Sequence, residues 1–288
     1  MLMETLKSFL SIALELTLLF IVISFLINFL QGLIPYEKIE RRLTGNNKAL
    51  AALAAVLFAF ITPFCSCSTI PIVVNMLKKK MPFGIVMIFL FSSPVLDPTI
   101  LTIMGVVLGW KVTIIYTLIT SVLSIVIGFM LERLGLERSV KNVVMTGYEE
   151  SEKKFNIQLA LNETWSLIKS VLPYLLIGAA IGAGIHGMVP TETVSYLFGG
   201  DQWWLIPIAA IVGIPLYIRL SSMIPISQVL IMKGMALGPV MAMMISSAGA
   251  SLPEVILLKS IFKKDLVIIF VLSVIGMSTI SGFAFYLM

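Results

Sequence analysis

Long apolar stretches alternate with short charged loops along this chain, and that alternation restricts its fold more than any single motif. Apolar segments lie at roughly 8–34, 49–77, 82–109 and 112–131, then again at 158–189, 203–232, 236–262 and 265–288, with a polar stretch over 132–157 between the two sets. Several exceed the ~20 residues that cross a ~30 Å hydrocarbon core. Hydrophobic residues make up 59% of the chain and charged residues only 12%, against about 25% charged in a soluble domain. Only helices and closed barrels satisfy their own backbone inside lipid, so an all-α polytopic membrane protein is expected. The net charge of +5 does not point to nucleic acid, because the basic residues sit in short loops beside the spans. Met1–Lys7 leads into an apolar run too long for a signal-peptide core and without a small-residue cleavage site, so it is expected to remain as the first span. Two cysteines and one histidine cannot build a disulfide framework or a four-ligand Cys/His zinc site, and no cofactor is expected.

The second set of segments repeats the first. At a spacing of 154, Gly84 falls on Gly238, Ser92-Ser93 on Ser246-Ser247, Ser68 on Ser222 and Val112–Ile115 on Leu266–Ile269; at 155, Gly32 falls on Gly187 and Pro35 on Pro190. The expected organisation is a first membrane repeat over 1–134, a polar cytoplasmic linker over 135–157 and a second repeat over 158–288.

The distribution of loop charge selects among topologies. If all eight segments cross, loop Lys and Arg divide 10 to 8 between the two sides. If 49–77 and 203–232 are re-entrant hairpins, each repeat crosses three times and the repeats are inverted. Loops 35–48, 78–80, 132–157 and 259–264 then share one side with 15 basic residues, leaving Lys7, Lys111 and Lys233 opposite. Folding back both middle segments of each repeat gives 12 to 6. Positive loops stay cytoplasmic, so the inverted arrangement with both termini outside the cytoplasm is expected. Inverted repeats with broken helices are a recurrent transporter architecture, with the substrate site near mid-membrane.

The first hairpin breaks at Pro63-Phe64-Cys65-Ser66-Cys67-Ser68, with Pro71 just beyond, and both prolines are expected to interrupt the helix. Cys65 and Cys67, the only cysteines, can point at one soft ion or form a strained, reducible disulfide. Thiolates select soft partners over hard cations; as small apolar fillers the same residues would be inert. Arg219 lies at the matching break of the second repeat, opposite Cys65, with Ser221 opposite Cys67 and Ser222 opposite Ser68. An arginine inside an apolar span faces a cavity or partner unless it snorkels from a span end. In inverted repeats it would meet the thiols near the twofold axis, favour the thiolate and hold an anionic ligand. The next segments break at Ser92-Ser93-Pro94-Val95-Leu96-Asp97-Pro98 and Ser246-Ser247-Ala248-Gly249-Ala250-Ser251-Leu252-Pro253-Glu254. Asp97 and Glu254 could balance Arg219, carry a proton or cap a half-helix, a role that suits Asp97 before Pro98 in particular. His186, Glu15 and Asn75 read as interfacial, structural or helix-end groups, and Trp203 and Trp204 as interface anchors.

Pro63-Phe64-Cys65-Ser66-Cys67-Ser68, followed by Ser92-Ser93-Pro94 and Asp97-Pro98, resembles the predicted-permease family that includes YraQ and the organoarsenical efflux permease ArsP. The resemblance spans about residues 8–288. It implies a multi-span inner-membrane permease with Cys65 and Cys67 in the permeation site, and it leaves the substrate open. The expected activity is movement of a small soft or thiol-reactive solute, with Cys65, Cys67, Ser66, Ser68, Arg219, Ser92, Ser93, Asp97, Ser221, Ser222 and Glu254 lining the path. The alternative is a thiol-disulfide redox or sulfur-relay protein working with a thioredoxin-like partner.

Overall fold

The computed structural model describes residues 48–61, 66–78, 80–141, 202–215, 220–232 and 234–288. These residues are mostly helical, and no strand ladder occurs among them beyond one isolated bridge. The expected spans 8–34 and 158–189, most of the polar linker, Glu15 and His186 lie outside the described residues.

Ten α-helices are described: α1 Lys48–Ile61, α2 Ser66–Lys78, α3 Phe83–Ser92, α4 Pro98–Val107, α5 Trp110–Arg133, α6 Leu205–Gly213, α7 Leu220–Met232, α8 Leu237–Gly249, α9 Leu252–Ile261 and α10 Lys264–Tyr286. Ser66, Phe83, Pro98 and Trp110 open helices in the first group, and Leu220, Leu237, Leu252 and Lys264 open them in the second, each pair 154 residues apart. The packing repeats as well. Helix α3 packs on α1 and α5, and α8 packs on α6 and α10; across the groups α4 packs on α7, α9 on α2, and α5 on α10.

Two of the described helices, α5 and α10, are long and apolar enough to cross a membrane alone, each with a mean hydropathy of 2.3. Helices α8 and α9 do so together, bent by 41° at the break between them. The surface pattern is that of a lipid-solvated protein. On α5 the exposed stripe is Ile114, Leu118, Val122, Val126 and Met130, while Thr113, Tyr116, Thr120, Ser124 and Gly128 are buried. On α10 Ile268, Leu272 and Ile280 face outward, and Ser278, Ser281 and Gly282 are buried. Water would enforce the reverse; in hydrocarbon, small and polar residues collect at helix–helix contacts instead. Several hydroxyls on these helices donate to their own backbone: Thr117 Oγ1 donates to Thr113 O at 2.8 Å, Thr120 Oγ1 to Tyr116 O at 2.7 Å and Ser278 Oγ to Val274 O at 2.7 Å.

Glycine sets the closest crossings. A Cβ on Gly128 would lie 2.8 Å from Gly84 O, and one on Gly282 would lie 3.0 Å from Gly238 O. These are the same pair of positions in each group, so α3–α5 and α8–α10 meet backbone to backbone in the same way.

The first end of the bundle is defined by three contacts. Lys48 Nζ pairs with Glu132 Oε1 at 3.5 Å, and the Glu132 carboxylate also covers Gly84. Val140 bridges Phe262, with Lys141 N donating to Ile261 O at 3.0 Å and Lys263 N to Ser139 O at 2.8 Å. The start of α1, the start of α3, the end of α5 and the α9–α10 connection therefore gather together. Helix α5 ends where α10 begins, and Ser124 Oγ lies 3.9 Å from Met277 Sδ further along, so these equivalent helices run antiparallel. At the other end Trp203 stands 6.4 Å from Phe283, and Tyr286 covers Gly238. Trp203 and Trp204 are exposed there, as expected of interface anchors.

One expectation is corrected. Pro71 does not end a helix; α2 runs through it, and α7 runs through Pro225, the equivalent residue. A proline deletes one ladder hydrogen bond and bends the axis, which a half-helix packed among others accommodates. Pro63 lies outside the described residues.

Candidate functional site

The described helix interruptions converge inside the bundle. In the first group, α3 ends at Ser92 and α4 begins at Pro98. Ser93 N still donates to Phe89 O at 2.9 Å, Val95 and Leu96 turn back onto Ser92 O, and the chain restarts at Asp97. Asp97 caps the new helix: Ile100 N donates to its Oδ1 at 3.3 Å and Leu101 N to its carbonyl at 2.9 Å. This is the N-terminal capping geometry that Asp-Pro favours.

Ser92 and Ser93 are completely buried. Thr69 Oγ1 and Ser93 Oγ lie 3.1 Å apart, tying the first turns of α2 to this break. Tyr116, also fully buried, donates from its hydroxyl to Val95 O at 3.1 Å, satisfying a carbonyl that the interruption frees. A Cβ on Gly249, at the end of α8, would lie 3.8 Å from Val95 Cγ2. Val95 and Gly249 are equivalent positions, so the breaks of the two groups meet each other.

The second break differs in chemistry. Ser246 and Ser247 donate to Met243 O and Met244 O on their own helix. Ser251 occupies the position equivalent to Asp97 and starts a Ser-x-x-Glu capping sequence, yet its side chain makes no capping bond. Ser251 Oγ is buried without a hydrogen-bond partner, as is Ser92 Oγ. Glu254 is completely buried in the first turn of α9, where the first group has Ile100. Helix α9 packs on α2, and both run toward the end that gathers Glu132 and Lys141. The Glu254 end of α9 therefore accompanies the end of α2 that carries Ser66, Cys67 and Ser68.

Of the expected site residues, Ser92, Ser93, Asp97 and Glu254 are described. Ser66, Cys67 and Ser68 fall in the first turn of α2, and Ser221 and Ser222 in that of α7; their side chains, and Cys65 and Arg219 altogether, lie outside the described residues. Thr69 and Tyr116 are additions. Thr69 extends the Cys-Ser-Cys-Ser run by one polar residue, and Tyr116 is a phenol within an apolar span; both signals were present in the sequence. Asn75, read as a helix-end group, is buried within α2.

Broken helices, outward apolar stripes and a buried polar centre define a helical membrane protein as the class. The chain belongs to the ArsP_1 family of predicted permeases, whose model matches residues 1–287. It is 22% identical to the UPF0718 protein MJ0584 of Methanocaldococcus jannaschii, over 83% of each chain. It is 26% identical to the UPF0718 protein YraQ of Escherichia coli, over 81% of this chain and 66% of that one. A Streptococcus mutans protein named putative two-component membrane permease complex subunit is 23% identical over 93% of this chain and 90% of its own. No solved structure matches the chain.

Proposed function

We propose that this chain is a secondary permease of the cytoplasmic (inner) membrane that moves a small soft or thiol-reactive solute through a Cys-x-Cys site at mid-membrane. The observation that carries the reading is the meeting of the two breaks at Val95 and Gly249, with Glu254 on a helix that packs against the Cys67 helix. In this mechanism Cys65 and Cys67 engage the solute reversibly, and Arg219 holds their charge state. Ser66, Ser68, Ser92, Ser93, Ser221 and Ser222 replace its hydration, and Glu254 supplies the coupling charge. Asp97 is committed to the α4 cap and contributes through position. Family membership supports transport; the thiol chemistry is our own reading.

The proposed topology is two inverted repeats, 1–134 and 158–288, joined by a cytoplasmic linker, each with three spans and one re-entrant hairpin. Two contacts support it. Lys48, before the first hairpin, and Gly84, after it, both touch Glu132, so the hairpin enters and leaves on one face. Residues 139–141 lie against 261–263. Eight crossings would separate these loops, and so would folding back both middle segments. The relative named as a two-component complex subunit suggests that a second polypeptide accompanies this chain.

Flux in reconstituted vesicles tests the reading. Cys65→Ser with Cys67→Ser should abolish thiol-reactive solute uptake while leaving the unfolding temperature in place. Glu254→Ile, which copies the first repeat, should also abolish flux. Its unfolding temperature is read beside the flux, so that a loss of transport is told from a loss of the fold. Undiminished flux in the double cysteine variant rejects the thiol mechanism.

A further inference from the structure

We infer that the seam between the end of α5 and the α9–α10 connection is a binding surface for anionic phospholipid headgroups. The antiparallel bridge Val140–Phe262 brings Arg138 and Lys141 from the first group against Lys259, Lys263 and Lys264 from the second. Two of these cations close the seam itself: Lys141 Nζ donates to Lys259 O, and Lys263 Nζ to Arg138 O at 2.9 Å. Arg138, Lys259 and Lys264 are exposed. Among the described residues the nearby carboxylates are Glu137 and Asp265, both exposed, while Glu132 is engaged by Lys48. Among the described residues, basic ones therefore outnumber acidic ones across the patch.

The position selects the ligand. Arg133 ends one membrane-length helix and Lys264 begins the other, so the patch stands at the height of lipid phosphates at one membrane surface. Long basic side chains at span ends extend to that level, and clustered lysine and arginine beside a membrane recruit anionic lipid. Helix stability does not explain the cluster. Lys263 and Lys264 sit at the N-terminus of α10, the end where the helix dipole disfavours cations. A lipid phosphate in front of them reverses that penalty and bridges the two halves of the chain.

The full chain, reconstituted in phosphatidylcholine vesicles with and without phosphatidylglycerol, tests this by its unfolding temperature. Phosphatidylglycerol should raise it by on the order of 3–5 °C. The increment should vanish in the combined variant Arg138→Gln, Lys259→Gln, Lys264→Gln, which spares the two lysines that close the seam. It should persist in Lys111→Gln, at the opposite end of α5. Retention of the full increment in the triple variant overturns the proposal, and so does an equal rise from inorganic phosphate added to detergent-solubilised protein. If the triple variant does not fold, Arg138→Lys, Lys259→Arg, Lys264→Arg decides. An increment retained there supports a charge-read headgroup site, and its loss overturns one.

Discussion

The two halves of the molecule share a skeleton and differ in what they place on it. Helices start at a spacing of 154, and glycine pairs make the same close crossings in each half. Yet Asp97 caps α4 while its equivalent, Ser251, leaves α9 uncapped, and Ile100 is replaced by the buried Glu254. Tyr116, whose hydroxyl holds the first break, corresponds to Phe270, which stacks on Phe91 at 4.7 Å. The halves agree where backbone meets backbone, because such contacts tolerate little change. They differ in the side chains around the breaks, where chemistry can change without repacking the bundle. The first half caps its break with the Asp97 carboxylate; the second buries a carboxylate, Glu254, one turn further on.

The largest expected effect tests the shared skeleton. Gly128→Leu and Gly282→Leu should each destabilise by about 3 kcal/mol or more, because a Cβ alone already crowds the facing glycine's carbonyl oxygen and overpacking a tight contact is costly. Thermal unfolding of the purified variants measures it. Similar losses at both positions confirm equivalent crossings; a large loss at one and none at the other breaks the comparison.

Next comes the divergent break. Asp97→Ala should cost about 1 kcal/mol by removing the bond from Ile100 N, and Asp97→Ser should recover part of that. Ser251→Ala, which removes a hydroxyl that caps nothing, should be neutral or slightly stabilising, since it deletes a buried group without a partner. Equal losses at both positions, read from the same unfolding transitions, would mean that Ser251 caps α9 after all.

These differences mark what the sequence could reveal. The 154-residue spacing and the length of the apolar runs are one-dimensional signals, so the matching helix starts and the membrane-length helices α5 and α10 were legible. The break before Asp97-Pro98 was legible for the same reason, because capping is local. The course of α2 through Pro71 was not, since whether a proline ends a helix depends on the neighbours available to cover the freed carbonyl. The pairing of Thr69 with Ser93 and of Tyr116 with Val95 joins residues more than 20 positions apart, and no local pattern encodes such partners. The expected meeting of Arg219 with Cys65 concerns residues outside those described.

The smallest expected effect concerns the ends of the bundle. Glu132 covers Gly84 and pairs with Lys48, whereas its equivalent, Tyr286, covers Gly238, and Lys48 is replaced by Gln202 beside the Trp203–Phe283 contact. One end is thus charged and the other aromatic, as two membrane surfaces with different electrostatic demands would select. The ion pair itself should contribute little, because the Lys48 side chain is 78% exposed and that of Glu132 27%. Water and salt screen such pairs to between about 0.2 and 1 kcal/mol. Lys48→Gln, which copies the second half, should therefore shift stability by less than about 0.5 kcal/mol, with the remaining effect fading in high salt. A loss of several kcal/mol that persists in salt would instead make Lys48 a structural clasp for the first hairpin, and the contrast between the two ends would then be one of architecture as well as charge.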